Sequence, residues 1–373
     1  MAQVAHSDLH EWADVAEKSV LVLNYTMTCP LACDFCCYGC HPKRTEKMPI
    51  EKAKDLISQA SKLSAFSSVG FTGGEIFSYE DELLELSDHL AKVGLPFTVA
   101  TAGHWGASES HARSIASYLV RNGLRRANIS CDEAHEKFVP RSSVVNSASA
   151  LAELGIPVYV VGTFSRPNIT TDSFLPELRG KSGVKLISKK VATVGRAKKF
   201  RIDYGSQELH SRVLTCYRQM HHDIVIFWDG SAYPCCSTFN RSTSGLRIGN
   251  AFEEALETIW GRADSSSLFR VIKRVGFGRL YEIVFSYDKS IAAKLPSPES
   301  FAGACSLCNN IFSNPALAMA VKAIFAQYEA DQLIDAALRA RQLFGQDVAA
   351  HLPEVWSFGA AEMEESHGCT FEA

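Results

Sequence analysis

Short apolar segments alternate with amphipathic segments along the first half of the chain. Between the apolar runs, hydrophobic residues are spaced three and four positions apart, which is typical of helices, as at 80–93 and 108–122. Consecutive strands joined by helices form parallel sheets, because each helix returns the chain to the start of the next strand. The pattern predicts an α/β domain with six parallel strands, at residues 20–25, 68–75, 96–103, 126–132, 156–165 and 184–188.

The second half of the chain has a different pattern. Residues 223–235 alternate around Asp229-Gly230, which predicts a β-hairpin. Asn314-Pro315 begins a long amphipathic helix, whose apolar face is expected to cover the sheet. The predicted units are an N-terminal extension (1–18), an α/β domain (19–204), a second domain (205–313) and a C-terminal helix with an acidic tail (314–373).

The composition is that of an ordinary globular protein. Of 373 residues, 46% are hydrophobic and 21% charged, and a net charge of −3 argues against nucleic-acid binding. The first 18 residues lack an apolar core, and no run reaches the ~18 apolar residues of a membrane span, so we expect a cytoplasmic protein. Its 12 cysteines are then expected to be metal ligands or reactive thiols, because reducing compartments do not sustain disulfides.

Three cysteines follow the first predicted strand directly. Cys29, Cys33 and Cys36 have the spacing CxxxCxxC, and Phe35 stands just before the third cysteine. A [4Fe–4S] cluster takes four thiolates when it only transfers electrons, so a loop with three leaves one iron open for a substrate or cofactor. The alternatives are buried thiols or a zinc site, which usually pairs one CxxC with another or with histidine.

The cysteine pattern resembles the signature of the radical S-adenosylmethionine (SAM) enzymes. In that family the open iron binds the amino and carboxylate groups of SAM, and one-electron reduction yields a 5′-deoxyadenosyl radical that abstracts hydrogen from the substrate. The resemblance implies a partial (β/α)6 TIM-like barrel, with Cys29, Cys33 and Cys36 as the catalytic cluster ligands.

Further residues carry over from the same resemblance. Gly73-Gly74-Glu75 resembles the family's GGE motif, which binds the methionine amino group of SAM, and Phe35 is expected to pack against adenine. Relatives have Asn where this chain has Ala102, so no contact from Thr101 carries over. The implied SAM-binding residues are Phe35, Gly73, Gly74, Glu75, Ser130, Asp132 and Thr163.

A second set of cysteines resembles the SPASM and twitch extensions of this family. Gly230 stands between Cys216 and Cys235 at the spacing that opens those extensions, and Cys305-Ser-Leu-Cys308 resembles their closing pair. Val194-Gly195-Arg196-Ala197 resembles the Gly-Arg-Ala that ends the sixth strand of the barrel. The resemblance implies one auxiliary [4Fe–4S] cluster, of twitch type, because the next cysteine is Cys369; structural zinc is the alternative. The implied ligands are Cys216, Cys235, Cys305 and Cys308.

The layout also resembles that of enzymes that modify ribosomally made peptides. It implies hydrogen abstraction from a precursor peptide, with an oxidative side-chain cross-link as the expected product. The alternatives are α-carbon epimerisation, which requires a thiol such as Cys236 to return a hydrogen atom, a small-molecule substrate such as a nucleotide or sugar, or a non-catalytic electron carrier or zinc module. Cys236 is also an alternative ligand to Cys235.

The expected partners follow from this chemistry. The cluster needs a flavodoxin- or ferredoxin-type reductant, and the substrate is a precursor peptide. Only 28 residues precede Cys29, too few for a fused leader-binding domain, so we expect a separate leader-binding protein or direct recognition of the precursor.

Overall fold

The architecture is one mixed sheet with helices packed around it. The computed structural model of the protein describes residues 18–164, 166, 168–199, 211–216, 221–298 and 303–344. The predicted acidic tail and the predicted boundary at residue 204 lie outside these residues. In the described part of the chain, the sheet has nine strands in the order β6-β5-β4-β3-β2-β1-β7-β8-β9.

The strands run parallel from β6 to β7, and only the last two pairs are antiparallel. The first six strands are those of an open α/β barrel, as the sequence predicts. Their bounds are β1 Ser19–Thr26, β2 Phe66–Gly73, β3 Phe97–Thr101, β4 Leu124–Ser130, β5 Val158–Phe164, β6 Val184–Lys190, β7 Asp223–Phe227, β8 Ser231–Tyr233 and β9 Gly249–Asn250.

Helices connect the strands and make up most of the C-terminal part. The barrel helices are α1 Ile50–Lys62, α2 Glu80–Val93, α3 Glu109–Arg121, α4 Glu133–Glu136, α5 Arg141–Glu153, α6 Thr171–Phe174 and α7 Arg196–Lys199. The helices beyond the barrel are α8 Leu256–Ser265, α9 Ser267–Arg270, α10 Phe277–Tyr287, α11 Lys289–Ala292, α12 Ala304–Phe312 and α13 Pro315–Phe344, with a π turn at Val271–Val275 between α9 and α10.

The core lies between the strands and one face of each helix. All but one of the β1 residues are buried, as expected for a central parallel strand covered on both faces. Helix α2 ends as predicted, because Gly94 takes the left-handed conformation (φ 73°) that an L side chain rarely adopts.

The predicted hairpin extends the barrel sheet. Strands β7 and β8 pair antiparallel around Asp229-Gly230, as predicted, and β7 also pairs in parallel with β1, from Val20 opposite Asp223 to Asn24 opposite Phe227. The strand that follows Cys216 therefore lies directly beside the strand that precedes Cys29. This pairing fixes the second cysteine region against the first.

Two local predictions are wrong. Strand β6 ends at Lys190, and Arg196 begins the short helix α7 instead of ending a strand. The long helix α13 packs against α9, α10 and α12 and does not cover the barrel sheet. One face of its N-terminal half is buried, with Val321 fully inside, whereas Leu338 is 54% exposed. The apolar face of the helix is therefore longer than the surface against which it packs. Asn314 does cap this helix, accepting from the amides of Ala316 and Leu317.

Candidate functional site

The first cysteine loop lies at the carboxyl end of β1. Parallel barrels place their chemistry at this end, because the loops that follow the strands converge there. Backbone hydrogen bonds tie the loop to the next strand: the Gly74 amide donates to Thr26 O at 2.6 Å and the Glu75 amide to Thr28 O at 2.9 Å. Cys29 and Cys33 are buried and Cys36 is half-buried.

The glycines of the GGE segment permit this close contact. A Cβ atom on Gly74 would lie 2.1 Å from Thr28 O, and one on Gly73 (φ 133°) would lie 2.6 Å from Thr26 O. Both distances are far inside van der Waals contact, so no larger residue fits without moving the backbone. The glycines therefore allow the cysteine loop itself to approach the end of β2.

Arg196 clamps the cysteine loop from the other side. Its Nε donates to Cys33 O at 2.7 Å, its Nη1 donates to Cys40 O at 2.9 Å, and its amide donates to Cys36 O at 3.1 Å. Gly195 precedes it because a Cβ atom there would lie 2.4 Å from Cys36 O. The sequence assigned Arg196 to the end of a strand and missed this role, although the Gly-Arg-Ala resemblance marks the position.

The thiols of the loop differ in acidity. Hydrogen bonds from Cys40, first its thiol and then its amide at 3.3 Å, together with the charge of Arg196, lower the pKa of Cys36 to about 5 against the opposing effect of burial. Burial raises the pKa of Cys29 to about 12. Iron binds the thiolate form, which the surroundings favour at Cys36 and oppose at Cys29.

Glu75 joins the ends of the second and third strands. Its carboxylate is 1% exposed and accepts from the Thr101 hydroxyl at 2.9 Å and 3.0 Å, the Ala102 amide at 2.6 Å and the Phe77 amide at 3.2 Å. The sequence left Thr101 out because the residue after it departs from the family pattern. The hydroxyl nevertheless reaches the GGE carboxylate, so Thr101 belongs to the same site.

Asp132 holds together the residues at the ends of β4 and β5. Its Oδ1 accepts from the amides of Ala134 and His135 and from His135 Nδ1 at 2.8 Å, and its Oδ2 accepts from the Thr163 amide at 3.0 Å. The carboxylate is 1% exposed. A direct contact between this carboxylate and SAM would have to share an oxygen with one of these donors. Ser130 is half-buried at the last position of β4.

His135 brings the fourth strand end to the cysteine loop. Its ring lies 5.8 Å from that of Phe35, the predicted adenine neighbour. Burial disfavours the charged imidazole, but hydrogen bonds to Asp132 and to the Cys33 thiol outweigh burial and raise the pKa of His135 to about 10. His135 therefore contacts the cysteine loop through Cys33, and hydrogen bonds to cluster sulfurs tune the reduction potential of a cluster.

The second cysteine set lines one cavity in the C-terminal region. Cys216 precedes β7 and donates its amide to Ile272 O at 3.1 Å, while Cys235 follows β8 and accepts at its carbonyl from Asn240 Nδ2 at 2.7 Å. Cys305 and Cys308 lie one turn apart on α12. The structure thus brings the four predicted auxiliary cysteines together: Cys216, Cys235, Cys305 and Cys308 all line the cavity.

The donor set of this cavity fits an iron–sulfur cluster. Its described lining offers four cysteine thiols and includes no histidine or carboxylate side chain. Zinc needs its ligands about 2.0–2.3 Å from one atom, whereas each cysteine of a cubane binds a different iron. Burial raises the pKa of Cys305 to about 11 and those of Cys235 and Cys308 well above their usual range, so the cluster must displace these protons as it binds.

The loops of the two cysteine sites contact each other. The Tyr38 hydroxyl donates to Ser237 O at 2.8 Å, and the ring of Tyr38 packs edge-on against Phe227. Cys236, next to the predicted ligand Cys235, is the exposed cysteine of this region, and its charge acts to raise the pKa of Cys37 on the first loop. Cys236 therefore stands between the two sites.

The described helices include none that is long and apolar enough to cross a membrane.

Two family models match separate segments of the chain. Residues 23–176 match the Radical SAM superfamily, and residues 216–280 match SPASM, an iron–sulfur cluster-binding domain. The chain is 25% identical over 300 residues to YydG of Bacillus subtilis (strain 168), a protein named for peptide biosynthesis, covering 78% of this chain and 91% of that protein.

A similar solved structure is that of SuiB from Streptococcus suis bound to S-adenosylmethionine. It covers 81% of this chain and 80% of its own, with a TM-score of 0.50 and 16% identity, a likeness that shows the fold. The fold class predicted from the sequence is confirmed, and so are the enzyme class and the cofactors, which are SAM, a cluster that binds it and an auxiliary cluster. The protein belongs to the radical SAM enzymes that carry a SPASM-type iron–sulfur domain.

Proposed function

We propose that this enzyme modifies a ribosomally made precursor peptide by abstracting hydrogen from an unactivated carbon. The observation that carries the proposal is the relationship to YydG, which extends over 91% of a protein named for peptide biosynthesis. The fold is compatible with a chain-like substrate. In the described part of the chain β6 pairs only with β5, so the barrel is open at that side.

The proposed residue roles follow the sequence prediction. Bound SAM supplies the radical that abstracts hydrogen, and Cys29, Cys33 and Cys36 hold its cluster. We assign SAM binding to Phe35 of this loop and to residues at the carboxyl ends of β2, β4 and β5. The latter are Gly73, Gly74, Glu75, Ser130, Asp132 and Thr163.

The hydrogen bonds of Glu75 and Asp132 favour a role in holding the SAM site in shape, in addition to any direct contact with SAM. Both carboxylates are buried and accept hydrogen bonds from their own chain, so Glu75 fixes the end of β2 to that of β3 and Asp132 fixes the end of β4 to that of β5. A rigid site of this kind positions SAM without reorganisation when it binds.

An oxidative side-chain cross-link remains the product that we propose first. Its formation removes two hydrogens from the peptide, so one electron and one proton must leave after the first hydrogen atom is abstracted. The four cysteines of the second cavity offer a site for a group that accepts that electron. A flavodoxin- or ferredoxin-type protein is the proposed source of the initial electron.

Epimerisation of an α-carbon is the second candidate, because one observation favours it. An epimerase must return a hydrogen atom to carbon, and Cys236 presents an exposed thiol between the two cysteine sites. The same thiol has no role in the cross-link proposal. Cys236 thus separates the two chemistries.

The experiment uses a peptide encoded by a short open reading frame beside the gene. Reconstituted enzyme, SAM, a reductant and this peptide are incubated in ordinary and in deuterated water, and the product mass is measured. A mass lower by two hydrogens supports the cross-link, whereas unchanged mass in ordinary water with one deuterium gained in deuterated water supports epimerisation. Cleavage of SAM without change in the peptide, under conditions where a nucleotide or sugar is modified, would contradict both.

Two variants sharpen the result. Cys236→Ala is expected to leave a cross-linking activity largely intact and to abolish epimerisation while SAM cleavage persists. Cys131→Ala is the matched control, because this thiol is buried at the end of β4 and 1% exposed. Omitting and adding a candidate leader-binding protein tests whether the precursor is recognised directly.

A further inference from the structure

A lysine lines the auxiliary cavity. The rest of the cavity wall is apolar or carries cysteine and uncharged polar side chains, and among its described residues Lys273 is the charged one. The side chain is 5% exposed, and its neighbours in the wall include Phe269, Ile272 and Phe277. A buried ammonium group in such surroundings is costly unless it is held by hydrogen bonds.

Two acceptors hold this ammonium group. Lys273 Nζ donates to His221 O at 2.9 Å and lies 2.7 Å from His222 Nδ1. A protonated lysine has three donors and no acceptor, so Nδ1 of His222 must accept and its proton resides on Nε2. That Nε2 lies 3.6 Å from Asp264 Oδ1, which suits a donor facing a carboxylate. The hydrogen bonds thus assign Lys273 as the donor and His222 as its acceptor.

The backbone around Lys273 is also joined to a cluster ligand. The residue lies in the π turn Val271–Val275, and Ile272 O, one residue before it, accepts from the Cys216 amide at 3.1 Å. Turns of this kind are rare and often occur at functional sites. The π turn therefore carries Lys273 and also holds Cys216, through the hydrogen bond to Ile272 O. The charge of Lys273 also acts to lower the pKa of the Cys235 thiol, against the larger effect of burial.

We propose that Lys273 sets the reduction potential of the auxiliary cluster by placing a fixed positive charge in its cavity. Reduction adds one electron to a cluster that four thiolates already make negative. A cation buried beside it stabilises the reduced form more than the oxidised form, because a low-dielectric cavity screens the charge poorly. The lysine therefore makes the cluster a better electron acceptor. This inference concerns the cofactor and does not depend on the substrate proposed above.

The competing explanation is that Lys273 is a structural brace between the π turn and the start of β7. His222 belongs to that region, since its carbonyl accepts from the Val20 amide of β1 at 3.0 Å. A structural brace would need the hydrogen bonds of Lys273 but not its positive charge. Lys273→Gln separates the two, because glutamine is neutral but still donates hydrogen bonds.

The test is a redox titration of the reconstituted full-length enzyme, followed by EPR spectroscopy. Lys273→Gln and Lys273→Met should lower the midpoint potential of the auxiliary cluster by about 59 mV or more, which is a tenfold change for one electron. Lys273→Arg should stay close to the unsubstituted enzyme. The SAM cluster, recognised because adding SAM changes its signal, should keep its potential in all three variants. Iron content shows that both clusters are present.

Two results would overturn the proposal. One is an auxiliary potential that is unchanged in Lys273→Gln and Lys273→Met with full iron content. The other is loss of the auxiliary cluster from both neutral variants while Lys273→Arg retains it, which would assign the lysine to cluster assembly. A shifted potential supports the proposal even where no peptide modification is found, so its outcome is separate from that of the proposed function.

Discussion

The two cysteine sites differ in how the chain builds them. The three cysteines predicted to hold the SAM cluster lie in one loop after β1, whereas the four predicted for the auxiliary cluster come from elements far apart in sequence. Cys216 precedes β7, Cys235 follows β8, and Cys305 and Cys308 lie on α12. A local loop keeps its ligand spacing independently of the rest of the chain. A distributed site exists only after the surrounding elements have packed.

The surroundings of the two sites also differ, because the first is more polar than the second. Arg196 and several amides point at the SAM loop, and the pKa of Cys36 falls to about 5. The auxiliary cavity is largely apolar, and burial raises the pKa of Cys308 well above its usual range. The first site thus favours a thiolate at Cys36, although burial raises the pKa of Cys29 in the same loop, whereas burial dominates at Cys235, Cys305 and Cys308 of the second site.

The largest effect is expected from removing the three cysteines of the first site, which should abolish SAM cleavage and leave the second cluster in place. Replacing Cys29, Cys33 and Cys36 together with Ala should remove about half of the roughly eight irons of two cubanes and abolish SAM cleavage. Iron is measured colorimetrically and 5′-deoxyadenosine by chromatography. Cys131→Ala is the control and should retain both. Persistent SAM cleavage in the triple variant would disprove the assignment of the open-iron site.

The reverse substitution tests the auxiliary site. Cys305→Ala with Cys308→Ala should also remove about half of the iron, because a cubane does not survive with two ligands, yet SAM cleavage should continue. Formation of the proposed cross-link should stop, since its electron acceptor is gone. Product formed at the normal rate without the auxiliary iron would show that the second site has no role in the chemistry.

Glu75 tests whether the polar surroundings of the first site matter for its ligand. Glu75→Ala should keep both clusters and weaken SAM binding at least ~30-fold, since charged hydrogen bonds contribute on the order of 2 kcal/mol and 1.4 kcal/mol is tenfold. Glu75→Gln should weaken SAM binding less, because the amide oxygen of glutamine still accepts hydrogen bonds. Affinity is measured by calorimetry, with the exposed Glu109→Ala as control. Unchanged affinity would reduce the GGE segment to a structural turn.

The smallest effect concerns the contact between the two sites. Tyr38→Phe removes the hydrogen bond to Ser237 O and should cost about 0.5–1.5 kcal/mol, with faster hydrogen exchange of the amides around Ser237. Tyr118→Phe is matched, since that hydroxyl bonds Asp88 within the barrel. If both variants change exchange around Ser237 equally, the contact does not join the sites.

Much of the barrel could be predicted from the sequence, because its signals are local. Apolar runs and helical periods gave the six parallel strands, and the caps at Gly94 and Asn314 set helix ends. The loop cysteines and the GGE segment were recognisable because their spacing is short and contiguous. The predicted domain boundaries and the individual SAM contacts remain predictions.

What the sequence determined by itself was the chemistry of contiguous motifs, since residue spacing within one loop fixes which atoms can reach one cluster. Only the tertiary structure decided how distant segments meet: that β7 pairs with β1, that Arg196 clamps the cysteine loop, and that Lys273 enters the auxiliary cavity. The physical reason is that these contacts join residues separated by about 160 positions or more, or depend on a π turn, and no local propensity encodes them.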